Sequence, residues 1–363
     1  MAGTSYWDYL HLDQLLGAQG GVDGTNVSSD ELTFIVVHQV FELWFVIGLR
    51  EVRLARDTLA SNHVDETSIP TVVHHLRRLG EVLRQGVAHF DLVETLAPQD
   101  FLAFRDKLFP ASGFQSFQMR ELEALLGLDD AQRVAGGPAD PIQHILDAAG
   151  NTPAGRLAIS RIRALATEGT LHAALDAWLH RTPIDGSSPS DAQDEACVDA
   201  FVDRWLGAFD AHLHRTEEHL ASTRGPDASI AARFASARAS ARTFLHATDV
   251  QEASRARRSR VRAAVLFIES YRHLPLLAWP RLLLDTLVET EEQLVLWRNR
   301  HARMVERVIG RRIGTGGSGG VEYLDRTATL RIFHDLWTVR TLLLPAEANP
   351  ALLHADAYGF SKG

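Results

Sequence analysis

The sequence predicts an all-α fold, arranged as a helix bundle in a single domain over residues 1–363. Three observations support this prediction. Apolar residues recur at helical spacing along nearly the whole chain, alternating strand-like runs are scarce, and no internal repeat of about 20–50 residues is present. A chain of 363 residues, 45% of them hydrophobic, can also bury a sizeable core.

The first long helix is predicted in SSDELTFIVVHQVFELWFVIGLREVRLARDTLA, which ends at Ala60 and contains no proline. Its start places Ser28 three residues before Glu31, the spacing of a capping box. Because the first half of this helix is unusually apolar, we expect that half to be buried on most sides.

Further helices follow along the chain. IPTVVHHLRRLGEVLRQGVAHFDLVETL repeats the helical pattern, and the stretch from Ser259 to Gly310 predicts at least two more helices, interrupted near Pro275 and Pro280. Two turn-rich segments, GLDDAQRVAGGPADPIQHILDAAGNTPAG and RTPIDGSSPSDAQDE, indicate a variable insertion of helices and loops around residues 127–255.

The composition argues against several functions. The formal charge of −9 disfavours nucleic-acid binding, and a single cysteine, Cys197, allows no intrachain disulfide. The first residues show no signal-peptide pattern, and no uncharged apolar run approaches the roughly 20 residues of a membrane-spanning helix. We therefore expect a cytoplasmic protein without a membrane or nucleic-acid partner, for which a small-molecule site remains open.

His301 lies within a predicted helix, among apolar residues at positions −7, −4, +3, +4 and +7. One helix face therefore holds an imidazole among apolar side chains. A neutral imidazole in an apolar slot can ligate a haem iron. The alternative is a core histidine whose ring hydrogen bonds to a backbone carbonyl.

Phe34 and His38 are four residues apart, which places an aromatic ring beside an imidazole on one helix face. This pair suits a pocket that stacks one part of a ligand and hydrogen bonds another, although core packing produces the same pattern. Arg105 lies in a segment rich in aromatic residues. Its guanidinium can bind a buried carboxylate through two parallel bonds, and the alternative is an Arg–Asp pair on a solvated face.

The segment GRRIGTGGSGGVEYL begins at Gly310, where we expect the preceding helix to end. Its glycines fit the spacing G-x-G-x-x-G, but that motif binds dinucleotides only after a strand, and no strand is predicted here. Glycines also let a backbone approach a ligand closely, and a flexible surface loop is the alternative. Five arginines between Arg255 and Arg262 predict a solvated helix start rather than a site for an anionic partner.

Four stretches, in this order, closely resemble the tryptophan 2,3-dioxygenase family: SYWDYLHLDQLLGAQ, ELTFIVVHQVFELWF, FRDKLFPASGFQSFQMR and LWRNRHARMVERVIGRRIGTGGSGGVEYL. The resemblance covers roughly residues 5–126 and 258–345, and the middle third matches poorly. It implies an all-α haem enzyme of the helix-bundle type, with one ferrous haem b in each subunit. Such enzymes insert both atoms of O₂ across the C2–C3 bond of the L-tryptophan indole, giving N-formyl-L-kynurenine, the first step of tryptophan catabolism by the kynurenine route.

The resemblance also implies roles for individual residues. His301, in W-R-x-x-H, is the expected haem ligand. His38 is the expected distal histidine near the indole N–H, with Phe34 as the aromatic wall of the pocket. Arg105 is expected to hold the substrate carboxylate, and Thr315, in G-T-G-G-S, to contact the substrate ammonium and carboxylate.

Other residues are assigned from the same motifs. Phe101 corresponds to an aromatic residue of the substrate pocket, Ser112 and Gly113 to a turn beside the haem, and Arg120 to a partner of a haem propionate. The Y-x-x-Y-L motif near the amino terminus completes the pocket of a neighbouring subunit in a homotetramer, which assigns to that pocket the residues Tyr6, Tyr9 and Leu10.

One departure from the family pattern concerns substrate identity. The family writes G-T-G-G-S-S-G, and here Gly319 replaces the second serine. The alternative function is therefore a divergent relative that oxygenates a substituted tryptophan, including as a monooxygenase in secondary metabolism. A noncatalytic haem or amino-acid sensor is a third hypothesis, against which the joint presence of His38, Arg105 and Thr315 argues.

Overall fold

The computed structural model describes residues 4–21, 24, 27–109, 111–129, 132, 141–312 and 320–359. The chain is 75% helical, and the described residues form no strand beyond one isolated bridge between Ile184 and Ser187. The predicted all-α fold is therefore confirmed. The helices are α1 (Tyr6–Tyr9), α2 (Leu12–Leu15), α3 (Ser29–Ala60), α4 (Ile69–Val93), α5 (Pro98–Arg105), α6 (Phe117–Leu126), α7 (Pro141–Ala148), α8 (Pro153–Ala164), α9 (Leu171–Arg181), α10 (Asp194–Arg224), α11 (Ala228–Leu245), α12 (Glu252–Ser270), α13 (Ala278–Ile309), α14 (Val321–Thr327) and α15 (His334–Arg340).

The chain divides into two compact units. The first comprises residues 1–54, 75–170 and 289–332, and the second comprises residues 55–74, 171–288 and 333–363. The expected site residues that the structure describes all belong to the first unit. A single domain with an insertion around 127–255 stays a prediction.

The start of α3 follows the sequence pattern in part. The Ser28 hydroxyl accepts a hydrogen bond from the Glu31 backbone N–H at 3.1 Å, as an N-cap should. The Glu31 carboxylate accepts a hydrogen bond from Lys107 Nζ at 3.0 Å, which ties α3 to the segment after α5. The cap of the helix was thus predictable, whereas the partner of Glu31 was not.

The expected burial of the first half of α3 on most sides is wrong, because only 28% of the most apolar 18-residue window of this helix is buried. Apolar side chains project from most sides of α3, and the neighbouring helices cover them only in part. By length and composition α3 is apolar enough to cross a membrane, a test that core helices of soluble proteins also pass. The large apolar residues exposed along α3 are Leu32, Val36, Leu43, Val46, Ile47 and Leu54.

The first unit is held together where α4 packs against α3 and α13. Thr290 on α13 donates a hydrogen bond from its hydroxyl to the backbone carbonyl of Leu76 on α4 at 3.2 Å. Further along α4, a Cβ on Gly86 would lie 3.0 Å from the indole ring of Trp297. The glycine therefore allows the Trp297 ring to lie directly against the α4 backbone, one turn before His301.

The second unit is centred on α12, which packs against α9, α10, α11 and α15. Its residues from Val261 to Ile268 are all buried, which leaves Arg260 and Arg262 inside the unit as well. The expected solvated start is therefore wrong for these two residues. Arg262 pairs with Asp249 at 2.6 Å and Asp335 at 3.1 Å, because a buried guanidinium needs both hydrogen bonds and opposite charge.

The two prolines before α13 behave differently. The chain is interrupted at Pro275, as predicted, but Pro280 lies in the first turn of α13 and does not interrupt it. A proline is tolerated there because the N–H groups of a first turn have no partner within the helix. At the other end, α13 stops at Ile309, and Gly310 has a φ of +62°, which confirms the expected C-cap.

Arg312 and Gly320, which flank residues 313–319, lie close together. A Cβ on Gly320 would lie 2.7 Å from the carbonyl oxygen of Arg312, and Gly320 has φ and ψ of 60° and −130°. Only glycine adopts this backbone conformation without strain. Thr315, Ser318 and Gly319 lie outside the described residues.

We expect Gly320→Ala to destabilise the protein by about 1–3 kcal/mol or more, because the methyl group adds a backbone clash to an unfavourable φ. Gly310→Ala is the matched control, since Gly310 has a similar φ but nothing within 4 Å of an added Cβ. Urea unfolding measures both variants. An equal loss of unfolding free energy in the two variants would contradict the close approach of Arg312 to Gly320.

Glu269 supplies a pH-dependent prediction. Burial raises its pKa above the usual 4.5, and the nearby charge of Asp285 raises it further, against the opposing effect of Arg340, Arg281 and Arg272. A raised pKa of an acid in the folded state means that its contribution to stability is present below pH 4.5 and lost as the pH rises through the folded pKa.

We therefore expect Glu269→Gln to raise the Tm at pH 7 by roughly 2 °C, and this gain to disappear near pH 4. Calorimetry at a series of pH values tests it. The control is Glu289→Gln at an exposed position, which should leave the Tm nearly unchanged at both pH values. A Tm gain for Glu269→Gln that persisted at pH 4 would rule out ionisation of Glu269 as the cause.

Candidate functional site

His301 lies on α13 in a setting of aromatic rings. Its ring stacks on Phe90 with centroids 5.6 Å apart and planes inclined by 14°, and it contacts Trp297 at 5.2 Å. Phe90 belongs to α4, so the slot forms where α4 passes α13. The apolar setting expected for His301 is therefore present in the structure.

The His301 imidazole is neutral. Burial is the main cause that lowers its pKa to about 4, and the nearby His38 and Arg120 contribute in the same direction. Among the described residues, none hydrogen bonds to the ring, so the carbonyl-bonded core histidine considered as the alternative is not observed. A neutral, half-buried imidazole retains a lone pair that can ligate a metal.

His38 has a defined tautomer. Its Nδ1 lies 2.7 Å from the backbone carbonyl oxygen of Phe34, one turn earlier on α3. Because a carbonyl can only accept, Nδ1 carries the proton and Nε2 is left as a hydrogen-bond acceptor. Burial lowers the pKa of His38, which favours this neutral form.

Aromatic rings surround His38. The Phe34 ring lies 4.0 Å from the imidazole, and Phe101 and Phe104 of α5 each lie 5.7 Å from Phe34. The structure therefore brings Phe34, His38 and Phe101 together, and their roles toward a substrate stay predictions. Phe41 lies on the other side of His38, at 6.5 Å between ring centroids.

Phe41 connects the two histidines through ring contacts. It lies 5.0 Å from Phe90 and 6.0 Å from Trp297, and both of these rings contact His301. Sequence reasoning missed Phe41 and Phe90. Phe41 follows His38 by three residues, so helical spacing could have found it, whereas Phe90 lies on a different helix and no local pattern indicates its contact.

Arg105 is the last residue of α5, and its side chain is half-buried. It follows Phe101 by four residues, so both side chains lie on the same face of the helix. A cation at the C-terminal end of a helix is favoured by the helix dipole. Arg105 thus places a positive charge at the end of the helix that carries Phe101 and Phe104.

Three further predicted residues lie at or near the start of α6. Arg120 pairs with Glu123 at 2.7 Å, yet its buried Nε makes no hydrogen bond with the described residues. The space next to Gly113 is open for at least 4 Å around an added Cβ. The carbonyl of Ser112 accepts a hydrogen bond from Gln115, which shapes the turn before α6.

The predicted residues of the amino-terminal motif are not joined to this cluster by any described contact. Tyr6 and Tyr9 lie on α1 and are 70% and 76% exposed, and Leu10 is 41% exposed. Together with Trp7 they form a run of exposed apolar residues, and contiguous exposed apolar surface is typical of interaction sites. Their expected role toward a neighbouring subunit stays a prediction.

The described residues fit a haem by their chemistry. His301 offers a neutral donor, the rings of Phe90, Trp297 and Phe41 supply an apolar wall, and Arg120 supplies a positive charge with a buried, unpaired Nε. A porphyrin needs these three features, since it has an iron, an apolar face and anionic propionates.

Comparison with known proteins agrees with this chemistry. The family model for tryptophan 2,3-dioxygenase matches residues 1–343. The chain is 45% identical to a tryptophan 2,3-dioxygenase of Sorangium cellulosum, over 98% of this chain and 87% of the relative. It is 44% identical to tryptophan 2,3-dioxygenase 2 of Ralstonia nicotianae, over 100% and 99%.

A shorter relative aligns with part of the chain. A tryptophan 2,3-dioxygenase-like protein of Xanthomonas campestris is 47% identical over 73% of this chain and 98% of its own length. Such family members are generally haem-dependent, and their names support oxidation of tryptophan. The predicted enzyme class, a dioxygenase among the oxidoreductases, is confirmed, and the chain belongs to the tryptophan 2,3-dioxygenase family.

Proposed function

We propose that the chain holds one ferrous haem b per subunit and inserts both atoms of O₂ across the indole C2–C3 bond of L-tryptophan, releasing N-formyl-L-kynurenine. The observation that carries the proposal is that His301 lies against the rings of Phe90 and Trp297, and that Phe41 joins these rings to a second imidazole, His38. One imidazole serves as the iron ligand, and the other is left to act on the substrate. The reaction is the first step of tryptophan catabolism by the kynurenine route.

His301 is the residue that would hold the haem iron, and Arg120 would pair with a propionate. When bound, the haem supplies the activation of O₂. The low pKa of His301 keeps its lone pair available at physiological pH, so no proton has to leave before the metal binds. We assign the turn at Ser112 and Gly113 to this part of the site, and a Cβ added at Gly113 would meet nothing within 4 Å.

His38 orients the indole. With its Nδ1 proton held by the Phe34 carbonyl, its Nε2 can accept the indole N–H, and it needs no change of tautomer to do so. Its lowered pKa keeps the ring an acceptor at neutral pH. Phe34 and Phe101 then pack against the apolar body of the indole.

Unlike the apolar indole ring, the amino-acid end of tryptophan is charged and needs polar partners. Its carboxylate needs a cation, and Arg105 provides a guanidinium one helical turn from Phe101. Its ammonium needs acceptors, which we assign to Thr315 and the neighbouring backbone. Both groups bind the substrate in its ground state and hold the indole at a fixed distance from the haem.

The proposed assembly is a cytoplasmic homotetramer in which α1 completes the site of a neighbouring subunit. The exposure of Tyr6, Tyr9 and Leu10 supports this arrangement, because their burial against another subunit would remove apolar surface from water. The exposed apolar residues of α3 support it for the same reason. No nucleic acid or membrane partner is part of the proposal.

The proposal is tested by reducing the haem-loaded protein without oxygen and then adding L-tryptophan and ¹⁸O₂. We expect N-formyl-L-kynurenine that carries two labelled oxygen atoms. A product with a single labelled atom would indicate a monooxygenase instead. Reduced, haem-loaded protein that forms no product from tryptophan would refute the proposed activity.

We expect His301→Ala to abolish haem retention, because it removes the proposed iron ligand, and added imidazole to restore part of the haem absorbance. Absorption spectra after gel filtration measure retention. His89→Ala is the control, since His89 contacts the same ring cluster through Phe41 at 6.0 Å. Full haem retention by His301→Ala would remove His301 as the ligand.

We expect Arg105→Ala to raise the KM for tryptophan by roughly 10- to 100-fold at unchanged haem content, since a charged hydrogen bond contributes about 1.5–3 kcal/mol. The KM of Arg105→Lys should lie between those of Arg105→Ala and the wild type, because lysine keeps the charge and loses the bidentate geometry.

Tryptamine, which lacks the carboxylate, serves as the second probe of Arg105. Wild type and Arg105→Ala should bind tryptamine equally, as measured by the shift of the haem spectrum. If Arg105→Ala weakened the binding of tryptamine as much as the binding of tryptophan, Arg105 would affect the pocket in general rather than the carboxylate.

A further inference from the structure

We propose that Glu123 is a positioning residue that joins the haem-side cation, Arg120, to the helix that carries His301. The inference rests on the proposed haem site and adds two residues to it, Glu123 and Arg298, which none of the sequence motifs identified as functional. The proposed role of Glu123 runs through the two arginines that it binds, Arg120 and Arg298.

The geometry consists of one carboxylate held by two guanidinium groups. Glu123 lies on α6 and is 2% exposed. One of its oxygens, Oε2, lies 2.7 Å from Arg120, and the other, Oε1, accepts a hydrogen bond from Arg298 at 2.8 Å. Each oxygen therefore contacts a different arginine, Oε1 through a hydrogen bond and Oε2 through an ion pair, so the position of one arginine constrains the other through one carboxylate.

Arg298 links this cluster to α13. It is 4% exposed and precedes His301 by three residues, so the two side chains project from neighbouring turns of one helix. Arg298 also donates to the carbonyl oxygen of Leu330 at 3.4 Å, in the segment that follows α14. Arg298 is thus held at two points, and Glu123 is the one that faces Arg120.

The charges of the cluster support a role toward an anion. Two arginines share one carboxylate, so Arg120, Glu123 and Arg298 together carry one net positive charge. Arg120 also acts electrostatically on His301, and its buried Nε has no partner among the described residues. A buried excess of positive charge is costly unless a negative group neutralises it, and a haem propionate has the required charge.

Glu121, two residues earlier on α6, provides a matched control. It is fully buried and is likewise bound by two arginines, Arg53 and Arg161, the latter at 2.8 Å. Those partners lie on α3 and α8, so this cluster has no connection to α13 or to Arg120's guanidinium. Replacing Glu121 therefore disturbs the same helix, with the same loss of a buried charge, without touching the proposed link.

The experiment compares Glu123→Gln with Glu121→Gln in the haem-loaded protein. Haem release is measured by transfer to excess apomyoglobin, and the midpoint potential of the iron by spectroelectrochemistry. We expect Glu123→Gln to release haem about tenfold faster or more and to shift the potential upward, because the loss of a nearby negative charge favours ferrous iron. Glu121→Gln should match the wild type in both measurements.

A second variant guards against misfolding of the first. Glu123→Gln with Arg298→Gln removes both partners of the buried pair, which leaves no unpaired charge at Arg298 and should preserve the fold. It should still release haem rapidly, since Arg120 has lost its anchor. Equal haem release from the Glu123 and Glu121 variants, or slow release from the double variant, would overturn the inference.

The result also separates this inference from the proposed function. Wild-type protein that retains no histidine-ligated haem would overturn both. Wild-type protein that holds haem and oxidises tryptophan, combined with a Glu123→Gln variant that matches Glu121→Gln, would overturn only the role of Glu123.

Discussion

Burial of the His301 imidazole without a hydrogen-bonding partner among the described residues is the constraint on which the rest of the site depends. Burial costs the charged form its hydration, so the ring stays neutral and its pKa falls to about 4. A neutral ring still needs contacts, and Phe90 and Trp297 supply them as aromatic faces. Those faces require α4 and α13 to lie close together, which Gly86 allows by leaving room for the Trp297 ring.

The same requirement explains where the polar groups of the first unit lie. Charged side chains that enter the interior are paired, as Glu123 is with Arg120 and Arg298, because an isolated buried charge is destabilising. His38 satisfies its own Nδ1 within one helical turn of α3 and thereby keeps Nε2 as an acceptor. The two imidazoles therefore have defined donor and acceptor roles among aromatic rings.

Buried charges are also paired in the second unit, which contains none of the residues of the proposed site. Arg260 and Arg262 read as a solvated basic run in the sequence, yet both are buried with carboxylate partners. Their partners, Asp194 and Asp249, come from outside α12. A charge pattern along one helix thus gives no information on solvation when the neutralising groups are distant in sequence.

The sequence by itself determined the all-α class, the caps at Ser28 and Gly310, and the pairing of Phe34 with His38, because each depends on residues within one or two helical turns. Its long motifs were specific enough to indicate the family. Only the tertiary structure decided that Phe90 stacks on His301, that Glu123 joins Arg120 to Arg298, and that much of α3 is exposed. These features depend on which helices lie side by side, and the packing of whole faces, rather than any local spacing, selects those neighbours.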